Sequence, residues 1–294
     1  MEDLSLIFAS SPLTESIELI DGDGNSLRDV SAGRIFQGLQ EYGVVILRNF
    51  MGEPSAAREV TEGLGQIVKN VEVTGTEYVG YHGELCYTPF PPDLLCFYCL
   101  SVSDEGGGET VFCDGTIAVD NFSTALLRLL ENHRLCMRSS WSTVFLRRRL
   151  EASSDDDLRA KLSAIQDLGW EEESTENRIT LTYFTSPIIR TRFQARRAFV
   201  NSIVIACHDQ RPRPERAYTL TLDNGQDFPV SALEEIVEVT NRLTYAHRWQ
   251  RRDYVVVDNS RMLHGRNACH QVNTDRRLTN MHTLLSRDRN GCGS

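Results

Sequence analysis

The stretch YHGELCYTPFPPDLLCFYCL (residues 81–100) decides how the rest of the chain is read. Its second half, continued as LLCFYCLSV (94–102), is aromatic and apolar without alternation, which is the pattern of a strand buried on both faces. Its first half places His82 and Glu84 two residues apart beside that strand. If the extended conformation continues through YHGE, side chains at i and i+2 point the same way and the imidazole and carboxylate converge. That would be half of a metal site. By chance, seven histidines and 41 acidic residues in 294 positions already make about one such pair, so the pair requires a second half elsewhere.

Outward from this stretch, strand signals dominate. Upstream, SAGRIFQGLQEY reads as an amphipathic helix that Gly43 turns into the strand VVIL, and residues 54–70 read as a second helix. Downstream, the glycine-rich break DEGGGET (104–110) leads into a short strand, VFCD. Residues 122–170 carry two period-3.6 apolar patterns and are expected to be helical. Strand patterns return at 178–186, 197–207 and 216–225. A helix is then expected at 230–247, before DYVVVDNS (253–260) and RRLTNMHTLL (276–285). Many strands without regular βαβ alternation predict a mainly β protein with peripheral helices (α+β), a sandwich or barrel. With no repeat or low-complexity linker, one domain over 1–294 is expected, with a helical insertion at 122–170.

Composition removes several function classes. The net charge of −10 argues against a nucleic-acid partner, because phosphate binding needs clustered cations. The basic runs at 146–149 and 190–197 are offset by acidic runs at 154–157 and 171–174, and all four read as solvated faces. No apolar run reaches membrane-spanning length and the N-terminus is acidic, so a cytoplasmic location is expected. Among eight cysteines only Cys96 and Cys99 have C-x-x-C spacing, and they fall inside the apolar strand, which favours buried thiols.

The missing half of the site is in DYVVVDNSRMLHGRNA (253–268), where a β-branched strand runs into a polar turn and presents His264. Two imidazoles and one carboxylate are the donor set of the facial triad of non-haem Fe(II) oxygenases. The proposed metal ligands and catalytic centre are therefore His82, Glu84 and His264. The order of landmarks then resembles the Fe(II)/2-oxoglutarate-dependent dioxygenases of the taurine dioxygenase and clavaminate synthase-like superfamily. YHGE resembles its H-x-[DE] ligand strand, GGGETVFCDG (106–115) its G-G-x-T turn, DNSRMLHGR its D-N-x(4)-H-G-R signature, and DRRL (275–278) its arginine segment.

That resemblance implies a double-stranded β-helix (jelly-roll) core, with Fe(II), 2-oxoglutarate and O2 as cofactor and co-substrates. It places the distal carboxylate of 2-oxoglutarate on Arg276, assisted by the hydroxyl of Thr110; Arg277 is the rival, since strand alternation lets only one of the two face the pocket. Asp258 and Asn259 are expected to shape the turn before His264, and Tyr87, Phe97 and Trp249 to be core or pocket wall. Histidines 133, 208, 247, 270 and 282 are assigned no metal role.

The implied reaction is hydroxylation, or desaturation or cyclisation, of an unactivated C–H bond. Halogenation is not expected, because Glu84 occupies the place where related halogenases carry Gly or Ala. Glu at this position resembles the branches that act on amino acids and carrier-bound amino acids. The expected substrate is thus an amino-acid-derived small molecule, including one presented by a carrier protein. Asn280 stands where several relatives place a second, substrate-gripping arginine; Arg190, Arg192, Arg196 and Arg197 are candidate substitutes, with surface exposure expected for most of them. Two other classes compete: a mononuclear zinc hydrolase using the same three ligands, and a non-catalytic binding module on the same scaffold.

Overall fold

A computed structural model describes residues 16–102, 106–173, 177–208, 218–271 and 275–285. Along the chain run β1 (Ile17–Asp21), α1 (Ala32–Tyr42), β2 (Val44–Arg48), α2 (Pro54–Leu64), β3 (Gln66–Val73), β4 (Val79–His82), β5 (Leu94–Ser101) and β6 (Thr110–Asp114). Then follow α3 (Gly115–Asn121), α4 (Thr124–Asn132), β7 (Leu135–Ser142), α5 (Thr143–Arg149), α6 (Asp155–Ser163), β8 (Leu168–Glu173), β9 (Arg178–Thr185), β10 (Ile188–Arg190), β11 (Arg197–Phe199), α7 (Ile203–His208) and β12 (Tyr218–Leu222). The last elements are α8 (Val230–Arg242), β13 (Tyr245–His247), β14 (Tyr254–Asp258), β15 (Met262–Arg266) and β16 (Arg277–Leu284).

Two sheets face one another. The larger has the order β1-β2-β14-β5-β16-β3, the smaller β13-β6-β15-β4. From β3 to β6 and again from β13 to β16, successive strands alternate between the sheets, which is the winding of a jelly roll. Covering on both sides explains the unbroken apolar runs. Val45, Leu47, Leu94, Cys96, Tyr254 and Val256 pack under α1 and α2, while Val44, Ile46, Leu95, Phe97, Val255 and Val257 meet Phe112 and Met262 of the smaller sheet. Cys96 and Cys99 have opposite parity on β5 and both are buried free thiols, so the C-x-x-C spacing joins no common site.

A buried ion pair fastens the turn between β14 and β15 to the end of β6. Arg261 donates from Nε and Nη2 to Asp114 Oδ2 (2.9 and 2.7 Å) and from Nη1 to the Glu41 carbonyl at the end of α1 (2.9 Å). Ser16 donates to the same Asp114 oxygen, and Asp114 also caps α3.

Several expected boundaries are corrected. The segment 122–170, expected to be helical, contains α4, α5 and α6 but also β7 and the start of β8. It belongs to a larger insertion between β6 and β13, with its own sheet of order β12-β7-β9-β8. The helix expected over 54–70 ends at Leu64, because Gly65 lies against the Leu284 carbonyl and the chain from Gln66 pairs with β16. Residues 197–207 split into β11 and α7, with Asn201 Oδ1 accepting from the Ile203 N–H (3.0 Å) to start the helix. The helix expected over 230–247 stops at Arg242, and Tyr245–His247 pairs with β6. Among the described residues no helix is long and apolar enough to cross a membrane.

Removing one partner of a buried ion pair strands the other, at about 3–5 kcal/mol. Arg261→Met is therefore expected to lower stability by that amount, read as a fall in the urea midpoint at unchanged slope; an unchanged midpoint would contradict the clamp.

Candidate metal and co-substrate site

β15 lies between β4 and β6, and its register sets His264 directly opposite His82. The two rings stand 4.3 Å apart, centroid to centroid. His82 Nδ1 lies 2.9 Å from the Gly80 carbonyl. A carbonyl only accepts, so Nδ1 carries the proton and Nε2 is left as a lone pair facing inward. Burial, followed by the neighbouring His264, pushes the His82 imidazole down to about 4, so it is neutral at neutral pH.

Glu84 does not reach the same point in the way strand geometry suggested. β4 ends at His82, and Glu84 sits in a turn whose next residue, Leu85, is left-handed (φ 54°). The turn is held by Gly83 N–H on the Asn201 carbonyl (2.8 Å) and by Asn259. The Asn259 amide grips Glu84 from both sides: Oδ1 accepts from the Glu84 N–H (2.9 Å), and Nδ2 donates to the Glu84 carbonyl (3.1 Å) and to that of Pro92 (2.9 Å). Asn259 thus does more than shape its own turn. Asp258 fits the turn role, accepting through Oδ1 from the Ser260 N–H and hydroxyl.

Held this way, Glu84 Oε2 is 3.6 Å from His264 Nε2 and 3.9 Å from His82 Nε2. One ligand atom from each of His82, Glu84 and His264 lies within 4.8 Å of the others. Burial alone would raise the Glu84 carboxyl, but the imidazoles of His264, His282 and His82 hold it below the ordinary carboxylate range. Among the described residues no lysine or arginine pairs with this carboxylate. An anionic oxygen surrounded by imidazoles suits a divalent metal ion. His282, which sequence reasoning set aside, lies at 1% exposure with Nε2 3.7 Å from Glu84 Oε1. The available signal was parity on β16, which puts Asn280 opposite Phe97 and His282 opposite Leu95, facing the interior.

A second group of donors stands nearby. Arg276 is 3% exposed and donates from Nε to the Gly108 carbonyl (2.8 Å), whereas Arg277 is exposed and pairs with Glu72 on β3. Arg276, not Arg277, faces inward. Gly106, Gly107 and Gly108 all have positive φ, and a Cβ on Gly108 would come within 2.6 Å of the Arg276 side chain. Only glycine allows that contact. Burial and the neighbouring Arg266 lower the Arg276 guanidinium to about 10, which leaves it charged. Two residues after Gly108, the Thr110 hydroxyl accepts from Trp249 Nε1 (3.0 Å). Phe97 spans the interval, 6.2 Å from both Trp249 and His264.

On the other side of Glu84, Tyr87 stacks on Tyr218 (4.0 Å) and faces Trp141 of β7 (6.0 Å). The insertion therefore lies beside the site, and Arg149 of α5 donates to the Phe90 carbonyl (3.0 Å). Arg192, Arg196 and Arg197 pair with Asp93, Asp120 and Glu131.

Residues 9–282 match the family described as taurine catabolism dioxygenase TauD, TfdA. The chain belongs to this family. Its curated relatives include a clavaminate synthase-like protein of Arabidopsis thaliana, 24% identical over 70% of this chain and 66% of that protein. Another is a 3-((Z)-2-isocyanoethenyl)-1H-indole synthase of Fischerella ambigua, 23% identical over 70% of this chain and 63% of that protein. The matches thus span just under two thirds of these relatives' lengths. Among solved structures, PvcB of Pseudomonas aeruginosa superimposes with a TM-score of 0.61 at 16% identity, over 93% of this chain and 91% of that one. Another PvcB structure is described as an Fe, alpha-ketoglutarate dependent oxygenase from an isonitrile synthetic pathway. At that identity, the likeness shows that the TauD-family fold is shared.

Loss of a group that orients a metal ligand commonly weakens metal binding about 10- to 100-fold. Asn259→Ala is expected to do so here, measured by calorimetric titration of Co(II) with the fold checked by circular dichroism. A folded variant with unaltered affinity would mean that Asn259 does not position Glu84.

Proposed function

We propose that the protein is an Fe(II)/2-oxoglutarate-dependent oxygenase of hydroxylase type, acting on an unactivated C–H bond of an amino-acid-derived small molecule. The observation that carries this reading is the convergence of His82, Glu84 and His264 inside the jelly roll of a TauD, TfdA family chain. These three residues would hold the iron, and Arg276 with Thr110 would hold the far carboxylate of 2-oxoglutarate. Bound iron, with 2-oxoglutarate and dioxygen, supplies the oxidising power for C–H cleavage while the co-substrate becomes succinate and CO2. The chain supplies orientation and charge. The His82 tautomer keeps a lone pair on Nε2, Asn259 holds the backbone that carries the Glu84 carboxylate, and the buried guanidinium matches a carboxylate with parallel donors. A zinc hydrolase would have no use for a carboxylate anchor built from a buried arginine and a threonine.

The substrate is read from the remaining walls. Asn280 and His282 face the interior on the Glu84 side, and burial keeps the His282 imidazole uncharged, pushed down to about 4. Neither offers a counter-ion for a free carboxylate or sulfonate. That favours an amide, a peptide, a carrier-tethered acyl group or a weakly polar molecule. The Tyr87, Tyr218 and Trp141 rings beside Glu84 favour an aromatic one. The name of one relative, an isocyanoethenyl-indole synthase, leans the same way. We read the substrate as an aromatic amino-acid derivative in specialised biosynthesis.

Anaerobic addition of Fe(II) and then 2-oxoglutarate is expected to produce a weak visible charge-transfer band. Arg276→Ala is expected to raise the 2-oxoglutarate concentration needed for that band about 10- to 100-fold, the effect of losing hydrogen bonds to a charged group. Absence of a band in a protein that binds zinc tightly would favour the hydrolase.

A further inference from the structure

Trp249 follows β13 and stands between a buried charged cluster and the Thr110 hydroxyl. Its ring meets His247 edge-on (4.5 Å, 85°) and Phe97 at 64°. His247 is fixed in turn: Nε2 lies 3.1 Å from Asp253 Oδ2, and both residues are 1% exposed. Asp253 accepts two bonds from Arg48 (2.9 and 2.6 Å) and one from the Gln250 N–H (2.8 Å). The register that pairs His247 with Thr110 brings this cluster to the start of β6. Trp249 and Arg276 line one cavity of about 320 Å³ together with Glu109 and Gly107.

Proton counting gives this arrangement a direction. An indole N–H only donates, and a hydroxyl has one proton to give. Trp249 Nε1 already donates to Thr110 Oγ1, so it cannot receive the Thr110 proton, and the guanidinium of Arg276 cannot receive it either. The neighbouring acceptors, the Gly108 carbonyl and the Glu109 carboxylate, take hydrogen bonds from Arg276 Nε and Asn267 and none from the Thr110 hydroxyl. Among the described residues the Thr110 hydroxyl donates no hydrogen bond.

We infer that Trp249 is a positioning residue for the co-substrate: its indole N–H occupies Thr110 as an acceptor and aims the single Thr110 proton at the carboxylate bound by Arg276. The inference rests on the reading of Thr110 and Arg276 as the 2-oxoglutarate anchor. The Arg48–Asp253–His247 cluster keeps the indole plane in place, and Phe97 connects the same plane to His264. Trp249 itself touches neither metal nor reacting bond in this scheme.

The test measures the dissociation constant of 2-oxoglutarate on the Zn(II)-loaded protein by calorimetry. Trp249→Phe keeps the ring and removes the N–H, and is expected to weaken binding about five- to tenfold; Thr110→Val is expected to weaken it about tenfold or more, as for loss of one hydrogen bond to a charged group. The double variant is expected to match Thr110→Val within about twofold, because both changes remove one interaction. In active protein, KM for 2-oxoglutarate is expected to rise with little change in kcat. If Thr110→Val weakens binding and Trp249→Phe does not, or if the two effects multiply, the positioning role is overturned and the anchor reading stands. If Thr110→Val binds 2-oxoglutarate as tightly as the wild type, the anchor reading falls and the inference with it. A measurement needing no Trp249 variant is the indole N–H resonance. That of Trp249 is expected to move on Thr110→Val and on 2-oxoglutarate addition, while those of Trp141 and Trp170, bonded to Ser139 and Ser163, stay in place. A stationary Trp249 signal would overturn the proposal.

Discussion

The site depends first on a strand register. β15 is bonded on one side to β6 and on the other to β4, and the alignment that puts His264 opposite His82 also puts His264 opposite Phe112. A slip of one residue would turn His264 toward the opposite face of its sheet and separate it from His82. The buried apolar residues on both sides of β15 penalise that slip, since Leu263 would leave the core it shares with Val111 and Cys113. Packing and the placement of the two histidines are consequences of the same pairing. The Arg261–Asp114 pair, at the turn leading into β15, anchors one end of the aligned strand.

The third candidate ligand is held by a different kind of interaction. Glu84 lies beyond the last residue of β4, so no ladder positions it, and the Asn259 amide does so by bonding to its backbone on both sides. Because Asn259 belongs to the turn between β14 and β15, the element that delivers His264 also fixes Glu84. This coupling explains how a carboxylate on a non-repetitive turn can be held beside His264. The donors proposed for the co-substrate are built separately, from a glycine turn too tight for any side chain and a buried arginine laid against it.

Much of this was legible in the residues. The strands around Val45, Phe97 and Val256 announce themselves because two-sided burial removes polar positions. The candidate ligands His82, Glu84 and His264 sit within short local motifs. Alternation on a strand limited the proposed anchor to one of Arg276 and Arg277, and the structure buries Arg276 and exposes Arg277. What escaped depends on contacts distant in sequence. β7 (LCMRSSWS) has few apolar residues and becomes a strand through pairing with β9 and β12. The Asn259–Glu84 clamp joins positions 175 residues apart. Trp249 and Thr110 are 139 apart, and His282 meets Glu84 only when the larger sheet closes over the smaller. No local pattern encodes such pairs.

The most direct test of the account is an anomalous difference map from crystals loaded anaerobically with Fe(II) and 2-oxoglutarate. The account predicts one iron peak bound by His82 Nε2, Glu84 Oε2 and His264 Nε2, with the distal carboxylate of 2-oxoglutarate on Arg276. Iron elsewhere, for example on His282 in place of His82, or a co-substrate carboxylate bound away from Arg276, would contradict it.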